Sequence, residues 1–391
     1  MNSDAAIIGA GLVGGSLAAA LADRGVAVTL VDARAAAPSA ASPRAGGDFD
    51  RRVFAIRPAG REFLERCGIW QRIDESRAAP ITRMVVTGDD GVSRLVFDAY
   101  RSGIAELAVI VEDAALQTAV RHALDERILV RRIDGRRCEA LRWSEDAVAV
   151  GLDDGRQIDV QLVVGADGPS SRVRELAGIS ISESPYGHSA VVANFDTTAD
   201  HGGTAWQWFR PDGVLALLPL PGRRVSMVWS TQQAHADELM ALDVGELAER
   251  VSRASNAVLG ELAATGSAAA FPLRLMKAAS VTGTRLALVG DAAHNVHPLA
   301  GQGLNLGLAD ARSLACAIAA RGPEEIGSNA VLARYRRSRA EEIMAMQLAT
   351  DGLHRLFQSS APGVAWLRNT GLRLTERLSP LKRLLVKQAT G

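Results

Sequence analysis

Two short stretches carry residues whose types and spacing could do chemistry. The first is GAGLVG. It sets Gly9, Gly11 and Gly14 at a Gly-x-Gly-x-x-Gly spacing, with Asp32 about 20 residues further on. Glycine at the first position allows a tight turn, at the second a close backbone approach to a pyrophosphate, and at the third close packing of helix on strand. A carboxylate at that distance can accept hydrogen bonds from ribose hydroxyls. The motif alone does not separate NAD from FAD. The second stretch is GDAAHNVHPLAGQGLNLGLADA, residues 290–311. Asp291 stands near its start, and Gly301, Gln302 and Gly303 precede Asn305 and an apolar helical pattern. Bare N–H groups at such a helix start attract an anion. A nicotinamide has no obvious need of this second cradle, whereas a flavin has. Its ribityl chain needs another clamp, which Asp291 suits. Its N1–C2=O edge gains negative charge on reduction, which amides around Gly301–Gly303 would stabilise. His294 and His297 lie three apart, but no third ligand stands nearby, so no metal is expected. His294 reads as a hydrogen-bonding loop residue.

The elements that must position these residues follow from apolar patterning. Residues 4–8 read as a strand, followed by an Ala/Leu helix ended by Gly25 and the strand VAVTLVD closing on Asp32. RLALVGD reads as a buried strand, and GQG opens the long helix LNLGLADARSLACAIAARG. Residues 57–70 read as an amphipathic helix, and 138–167 as a β-meander ending at Asp167. Residues 185–232 give several strand-like runs with turns at RPDG and LPG, expected to form a larger sheet. Trp206, Trp208 and Trp229 fall in that region; sheet-core packing is favoured over lining a pocket. Residues 237–254 and 328–358 each read as one helix.

The bulk composition excludes several classes. The 391 residues are 48% hydrophobic with zero formal net charge, so no clustered basic excess points to nucleic acid. Cys67, Cys138 and Cys316 are far apart and form no CxxC, which argues against a disulfide framework and fits a reducing, cytoplasmic compartment. The uncharged run 5–22 approaches the length of a membrane span, but its glycines and the preceding Asp4 fit neither a span nor a signal peptide. Residues 366–391 mix leucines with six basic residues against Glu376. This pattern fits a helix lying on an anionic membrane surface, giving peripheral contact at the inner face, and equally a helix packed on the core.

HPLAGQGLNLGLAD, residues 297–310, resembles the signature of the ubiquinone-biosynthesis hydroxylases, FAD-dependent class A aromatic monooxygenases of the p-hydroxybenzoate hydroxylase fold. VVGADGPSSRVRE (163–175) resembles that family's DG motif, with Asp167, Gly168 and Arg172. DFDRRVFAI (48–56) resembles the segment that carries an arginine, here Arg52, toward the flavin. Residues 97–120 resemble the segment before the helix along FAD, and 202–230 the substrate-side sheet. The similarity spans nearly the whole chain.

The resemblance implies a mixed α/β (α+β) fold, with a Rossmann-like FAD-binding domain interleaved with a β-sheet substrate domain and a helical C-terminus. The cofactor domain would take 1–80, 97–175 and 275–330, the substrate domain 81–96 and 176–274, and the C-terminal helices 331–391. The expected FAD contacts are Gly9, Gly11, Gly14, Asp32, Arg52, Gln117, Asp167, Asp291, Gly301, Gln302, Gly303 and Asn305. His297 and Pro298 are expected nearest the chemistry, beside flavin C4a. In this class NAD(P)H reduces FAD, O2 forms a C4a-hydroperoxide, and an OH group passes to an electron-rich ring. The ring would be a polyprenylated phenol, and the enzyme could join a ubiquinone-biosynthesis complex. The lack of a second Gly-x-Gly-x-x-Gly unit agrees, since the class has no separate nicotinamide domain. Two alternatives stay open: another flavin oxidoreductase of the fold, such as an isoprenoid reductase or halogenase, and a non-catalytic FAD-bound subunit.

Overall fold

The computed structural model describes residues 3–35, 49–295 and 302–358 together with Glu376, with backbone only at 184–186, 302 and 346–358. Its first strand, Ala5–Ile8, is wholly apolar and buried. It lies between the parallel strands Val28–Asp32 and Leu162–Gly165. Leu286–Leu288 and Val130–Asp134 extend this sheet in parallel on either side, and Thr282–Gly283 adds an antiparallel edge. Apolar runs without alternation suit strands covered on both faces. The uncharged run 5–22 therefore belongs to the core: Ile7, Leu17, Ala18 and Leu21 are fully buried.

Between the first two strands runs the Leu12–Ala22 helix. Its approach is set by two glycines. Gly9 has φ +108°, and a Cβ there would meet Ala166 O at 2.2 Å. A Cβ at Gly14 would meet Gly9 O at 2.0 Å. Neither position admits a side chain without moving backbone.

The second large sheet has nine strands among the described residues. Its long strand Ile181–Thr197 pairs antiparallel with Arg224–Gln232 and with Ala269–Ala278. Gly213–Leu220 and Thr204–Arg210 follow, and Arg83–Thr87 joins the latter in parallel before the edge strand Arg94–Asp98. The period of two divides its faces. Val191, Phe195, Trp208, Leu215, Leu217, Met227 and Trp229 form a core under the helices Gln233–Ala241 and Val244–Ala254. The opposite face meets a cavity.

The region 237–254 is thus two helices rather than one. Asp243 accepts a hydrogen bond from Glu246 N at 2.8 Å, and Glu246 accepts one from Asp243 N at 3.0 Å. This capping box starts a new helix after an extended Leu242. The 138–167 region is the expected meander, but only its last strand enters the parallel sheet, while Cys138–Trp143, Val148–Leu152 and Gln157–Val160 form their own. A further small sheet joins Val53–Ile56, Ala108–Glu112 and Ala78–Ile81. The Gln302–Ala319 and Asn329–Gln358 helices pack on each other. Of the basic stretch 366–391 the described part is Glu376, which accepts a hydrogen bond from Val96 N of the edge strand at 2.8 Å; the rest lies outside the described residues. No helix among the described residues is long and apolar enough to cross a membrane.

Candidate active site

The carboxyl ends of the parallel strands face the free side of the nine-stranded sheet across a cavity of about 1340 Å³. Ligand pockets typically measure about 300–1,000 Å³, so this one exceeds the usual range and has room for a dinucleotide and a second molecule. Open α/β sheets bind ligands at this edge.

One end of the cavity is bare backbone. Gly11 lines it, and a Cβ added there would meet nothing within 4 Å among the described residues. Packing therefore does not require glycine at 11; the space beside it belongs to the cavity. No side chain caps the Leu12–Ala22 helix, and its first turn holds no acidic residue. Gly303 repeats the arrangement: it lines the cavity, a Cβ would again meet nothing within 4 Å among the described residues, and the first turn of its helix lacks acidic residues. Two helix starts without an acidic first turn in one cavity fit a ligand that is anionic at two places, as FAD is at its pyrophosphate and reduced ring.

Asp32 lies beside the first of these turns. Ala10 N donates to its Oδ2 at 2.7 Å and Arg34 N to its Oδ1 at 2.8 Å, and the Arg34 guanidinium covers it. Burial alone would raise its pKa, but the bonds from Arg34 and Ala10 outweigh that and hold it below the ordinary carboxylate value. It is ionised at neutral pH and rigidly placed.

Arg52 comes from a short segment fixed at several points. Asn194 Nδ2 donates to Phe49 O and Asp50 O at 3.1 and 3.0 Å. Asp50 N donates to Glu112 at 2.5 Å, and Glu112 pairs with Arg77 at 2.6 Å in full burial. Asp113 N donates to Arg52 O at 2.9 Å. The exposed Arg52 guanidinium lies 3.7 Å from the Asp113 carboxylate, which also accepts from Gln117 Nε2 at 3.2 Å. Arg52, Asp113 and Gln117 all line the cavity.

Asp167 lines it too, but its carboxylate is engaged: Ser171 Oγ donates to Oδ1 at 2.5 Å and Val173 N to Oδ2 at 3.1 Å, capping the next short helix. Buried Arg174 then ties this loop to the Asp291 turn, donating to Pro169 O at 2.8 Å and Ala292 O at 2.9 Å. Asp291 itself is half-buried at the cavity wall, and burial pushes its pKa above the ordinary carboxylate value despite His294 and Arg52 nearby.

The structure thus gathers Gly9, Gly11, Asp32, Arg52, Gln117, Asp167, Asp291 and Gly303 around one space. Gly14 stands behind Gly9 as a packing residue. Asn305 is placed differently: it accepts from Arg57 N at 2.9 Å and donates to Ala55 O at 2.7 Å, and so fastens its helix to the Val53–Ile56 strand rather than lining the cavity. His297, Pro298 and Gly301, and the Gln302 side chain, lie outside the described residues.

The opposite wall holds residues that sequence reasoning did not single out. Ala190, Val192, Val214, Ala216, Leu218 and Val228 give it an apolar surface, into which Gln207 and Ser230 also point. Trp208 and Trp229 are buried on the other face, and Trp206 packs against the same core. The alternation in AWQWF already sets Gln207 opposite both neighbouring tryptophans. Also unforeseen is the buried group behind Asp291, where Asp310 meets His294 and Arg339.

A family model described as "FAD binding domain" matches residues 2–350. The chain is 36% identical to ubiquinone hydroxylase UbiL of Rhodospirillum rubrum, over 100% of this chain and 90% of that one. It is 35% identical to the 3-demethoxyubiquinol 3-hydroxylase of Escherichia coli, over 100% and 98%. Among solved structures, PqsL, a probable FAD-dependent monooxygenase from Pseudomonas aeruginosa, matches with a TM-score of 0.79 and 25% identity, over 95% of this chain and 99% of that one. Klebsiella pneumoniae HpxO, solved with FAD and uric acid, shares the fold with a TM-score of 0.75 and 20% identity, over 98% and 97%. A cavity shaped for a flavin dinucleotide and a family match across both large sheets lead to one conclusion: this chain belongs to the FAD binding domain family, among FAD-dependent monooxygenases.

Proposed function

We propose that this protein is an FAD-dependent monooxygenase that hydroxylates the aromatic ring of a polyprenylated phenol in ubiquinone biosynthesis, with NAD(P)H as reductant. The observation that carries this reading is the continuity of the cavity, which runs from the glycine cradle at Gly11 to the apolar sheet face at Ala216 and Val228. A cofactor in the cradle would place its reactive end against a water-poor wall suited to a ring with a prenyl tail. The names of the relatives, ubiquinone hydroxylase and 3-demethoxyubiquinol 3-hydroxylase, support that substrate class.

Bound FAD supplies the electron transfer and the activation of O2. The chain supplies the rest. The amides of the Leu12–Ala22 helix start would receive the pyrophosphate, and Asp32 would accept from the ribose hydroxyls. Asp291 would accept from the ribityl hydroxyls, and the amides at Gly303 would stabilise negative charge on the flavin ring. Arg52 and Gln117 would hold the cofactor from the Asp113 side. His297 and Pro298, next in sequence to this turn, are assigned to the reacting edge. The apolar strand residues exclude water and present the substrate ring. The cofactor segments are 1–80, 97–175 and 275–330, and the substrate segments 81–96 and 176–274.

Reconstitution tests the proposal. Purified protein loaded with FAD is given NAD(P)H, with and without a short-chain prenylphenol. The phenol should accelerate both NAD(P)H oxidation and O2 uptake and yield a hydroxylated ring. Oxidation of NAD(P)H with no O2 uptake would instead indicate a reductase.

A further inference from the structure

The wall presented by the four strands between Ile181 and Gln232 is apolar except at two side chains, Gln207 and Ser230. The strand registers define its geometry. Gln207 pairs with Ala216, Ala216 with Val228, and Val228 with Val192, so these four residues form one row across the sheet. Gln207 is the last of the row to line the cavity, since the row continues into Val86 and Leu95 of a separate cluster, and the other three are small or branched and apolar. Together they make a flat platform with an amide at its margin. Ser230 sits one row along and two strands over. Strand spacing puts about 12 Å between its Cα and that of Gln207, too far for both to hold one ligand atom.

Gln207 is 7% exposed and lines the cavity, and no hydrogen bond to its side chain is found among the described residues. Its strand neighbours differ: Trp206 and Trp208 turn into the core on the other face, and Arg210 binds Asp212. An amide that opens on the cavity with no partner among the described residues is placed to serve an occupant of that cavity. A carboxamide both donates and accepts, which matches a phenolic oxygen carrying its own hydrogen.

We infer that Gln207 is a specificity residue of this enzyme: its carboxamide hydrogen-bonds an oxygen substituent of the substrate ring while the ring lies against Ala216 and Val228. The inference rests on the aromatic hydroxylation proposed above. It explains how a largely apolar wall can fix the rotation of a ring about its own axis, and so choose the carbon presented to the cofactor. An apolar pocket alone discriminates weakly between isosteres, whereas a buried polar partner rejects the analogue that lacks its mate.

The test compares two probes, a short-chain prenylphenol and the prenylbenzene that lacks the hydroxyl. Their dissociation constants are read from the flavin fluorescence of the FAD-loaded protein. The wild type should prefer the phenol by about tenfold, the worth of one neutral hydrogen bond. Gln207→Met keeps the volume and removes the amide. It should bring the preference to about one by weakening the phenol alone, and raise KM for the phenol by a similar factor, about tenfold. Gln207→Leu serves as the second variant if Gln207→Met does not retain FAD. A wild type that prefers the phenol, with variants that keep the full preference, overturns the role of Gln207 and leaves the hydroxylase reading standing. A wild type that binds neither probe overturns that reading, and this inference with it.

Discussion

His294 Nε2 lies 2.7 Å from Asp310 Oδ2, and both residues are buried. The same carboxylate accepts from Gly290 N at 2.9 Å and from Arg339 Nε at 2.7 Å. One acidic side chain thus fastens the Gly290–Asp291 turn, His294 three residues beyond it, and the long Asn329–Gln358 helix. Tyr335 of that helix adds a hydrogen bond to Leu288 O at 2.8 Å. The cavity wall at Asp291 is therefore held from behind by charges that never reach the cavity.

Asp310→Ala should cost about 3–5 kcal/mol of stability, because it leaves the buried Arg339 Nε and Gly290 N without their acceptor, although Arg339 keeps Glu342 and Leu306 O. Denaturant unfolding of the apoprotein measures this, and a loss below about 1 kcal/mol would contradict it. The pH dependence has a definite sign. Burial raises the pKa of Asp310, but His294 and Arg339 bring it below the ordinary value of 3.8. The unfolded chain then binds the proton more readily, so this stabilisation is present above pH 3.8 and disappears as pH falls below it.

Asp291→Asn should act in opposite directions on stability and on binding. The folded pKa of Asp291 is raised by burial, so the stability linked to its protonation is present at low pH and is lost as pH rises through that value. Above that value the wild-type apoprotein carries the penalty of a largely buried charge, which the amide removes. The variant should melt a few degrees higher without cofactor, by a gain of about 1 kcal/mol. It should also bind FAD at least about tenfold more weakly, having lost a charged acceptor. A variant less stable than wild type, with unchanged FAD affinity, would reverse the assignment.

Gly9→Ala and Gly11→Ala separate a folding glycine from a binding glycine. At Gly9 a Cβ meets Ala166 O at 2.2 Å with φ at +108°, and the cost should be about 2 kcal/mol or more. At Gly11 a Cβ meets nothing within 4 Å among the described residues and φ is −71°, so apoprotein stability should change by no more than about 0.5 kcal/mol. Its FAD affinity should nevertheless fall at least about tenfold, because the methyl group takes the space of a phosphate. Equilibrium unfolding and flavin titration of the two apoproteins check both halves.

Trp208→Ala should destabilise by about 3–5 kcal/mol, since the side chain is 5% exposed in the core beneath the two helices. It should leave the affinity for a prenylphenol unchanged, in contrast to substitution at the adjacent Gln207. Loss of binding with retained stability would mean that the faces of this strand are assigned the wrong way round.

What could be read in advance follows from the range of the interactions. Gly9, Gly11 and Asp32 are legible because a phosphate turn makes demands on local backbone, and those demands select residue types at fixed spacing. The Asp243 capping box was also local: DVGE contains both partners, and it ends the reading of 237–254 as one helix. Other features are long-range. Glu112 meets Arg77 across 35 positions and Asp310 meets Arg339 across 29, and no periodicity brings such pairs together. Asp167 was legible as a residue at the site, but not its capping bonds to Ser171 and Val173. Alternation separates Gln207 from its tryptophan neighbours, yet only the packed sheet shows which face covers a core and which meets the cavity.

The most direct measurement of the central claim is isotopic. The FAD-loaded protein turns over a short-chain prenylphenol with NAD(P)H under 18O2, and the product is weighed by mass spectrometry. One 18O atom should enter the ring for each molecule hydroxylated, with the other released as water. A product whose new oxygen comes from solvent, or NAD(P)H oxidation that leaves the ring unchanged at every prenylphenol tried, would contradict the account.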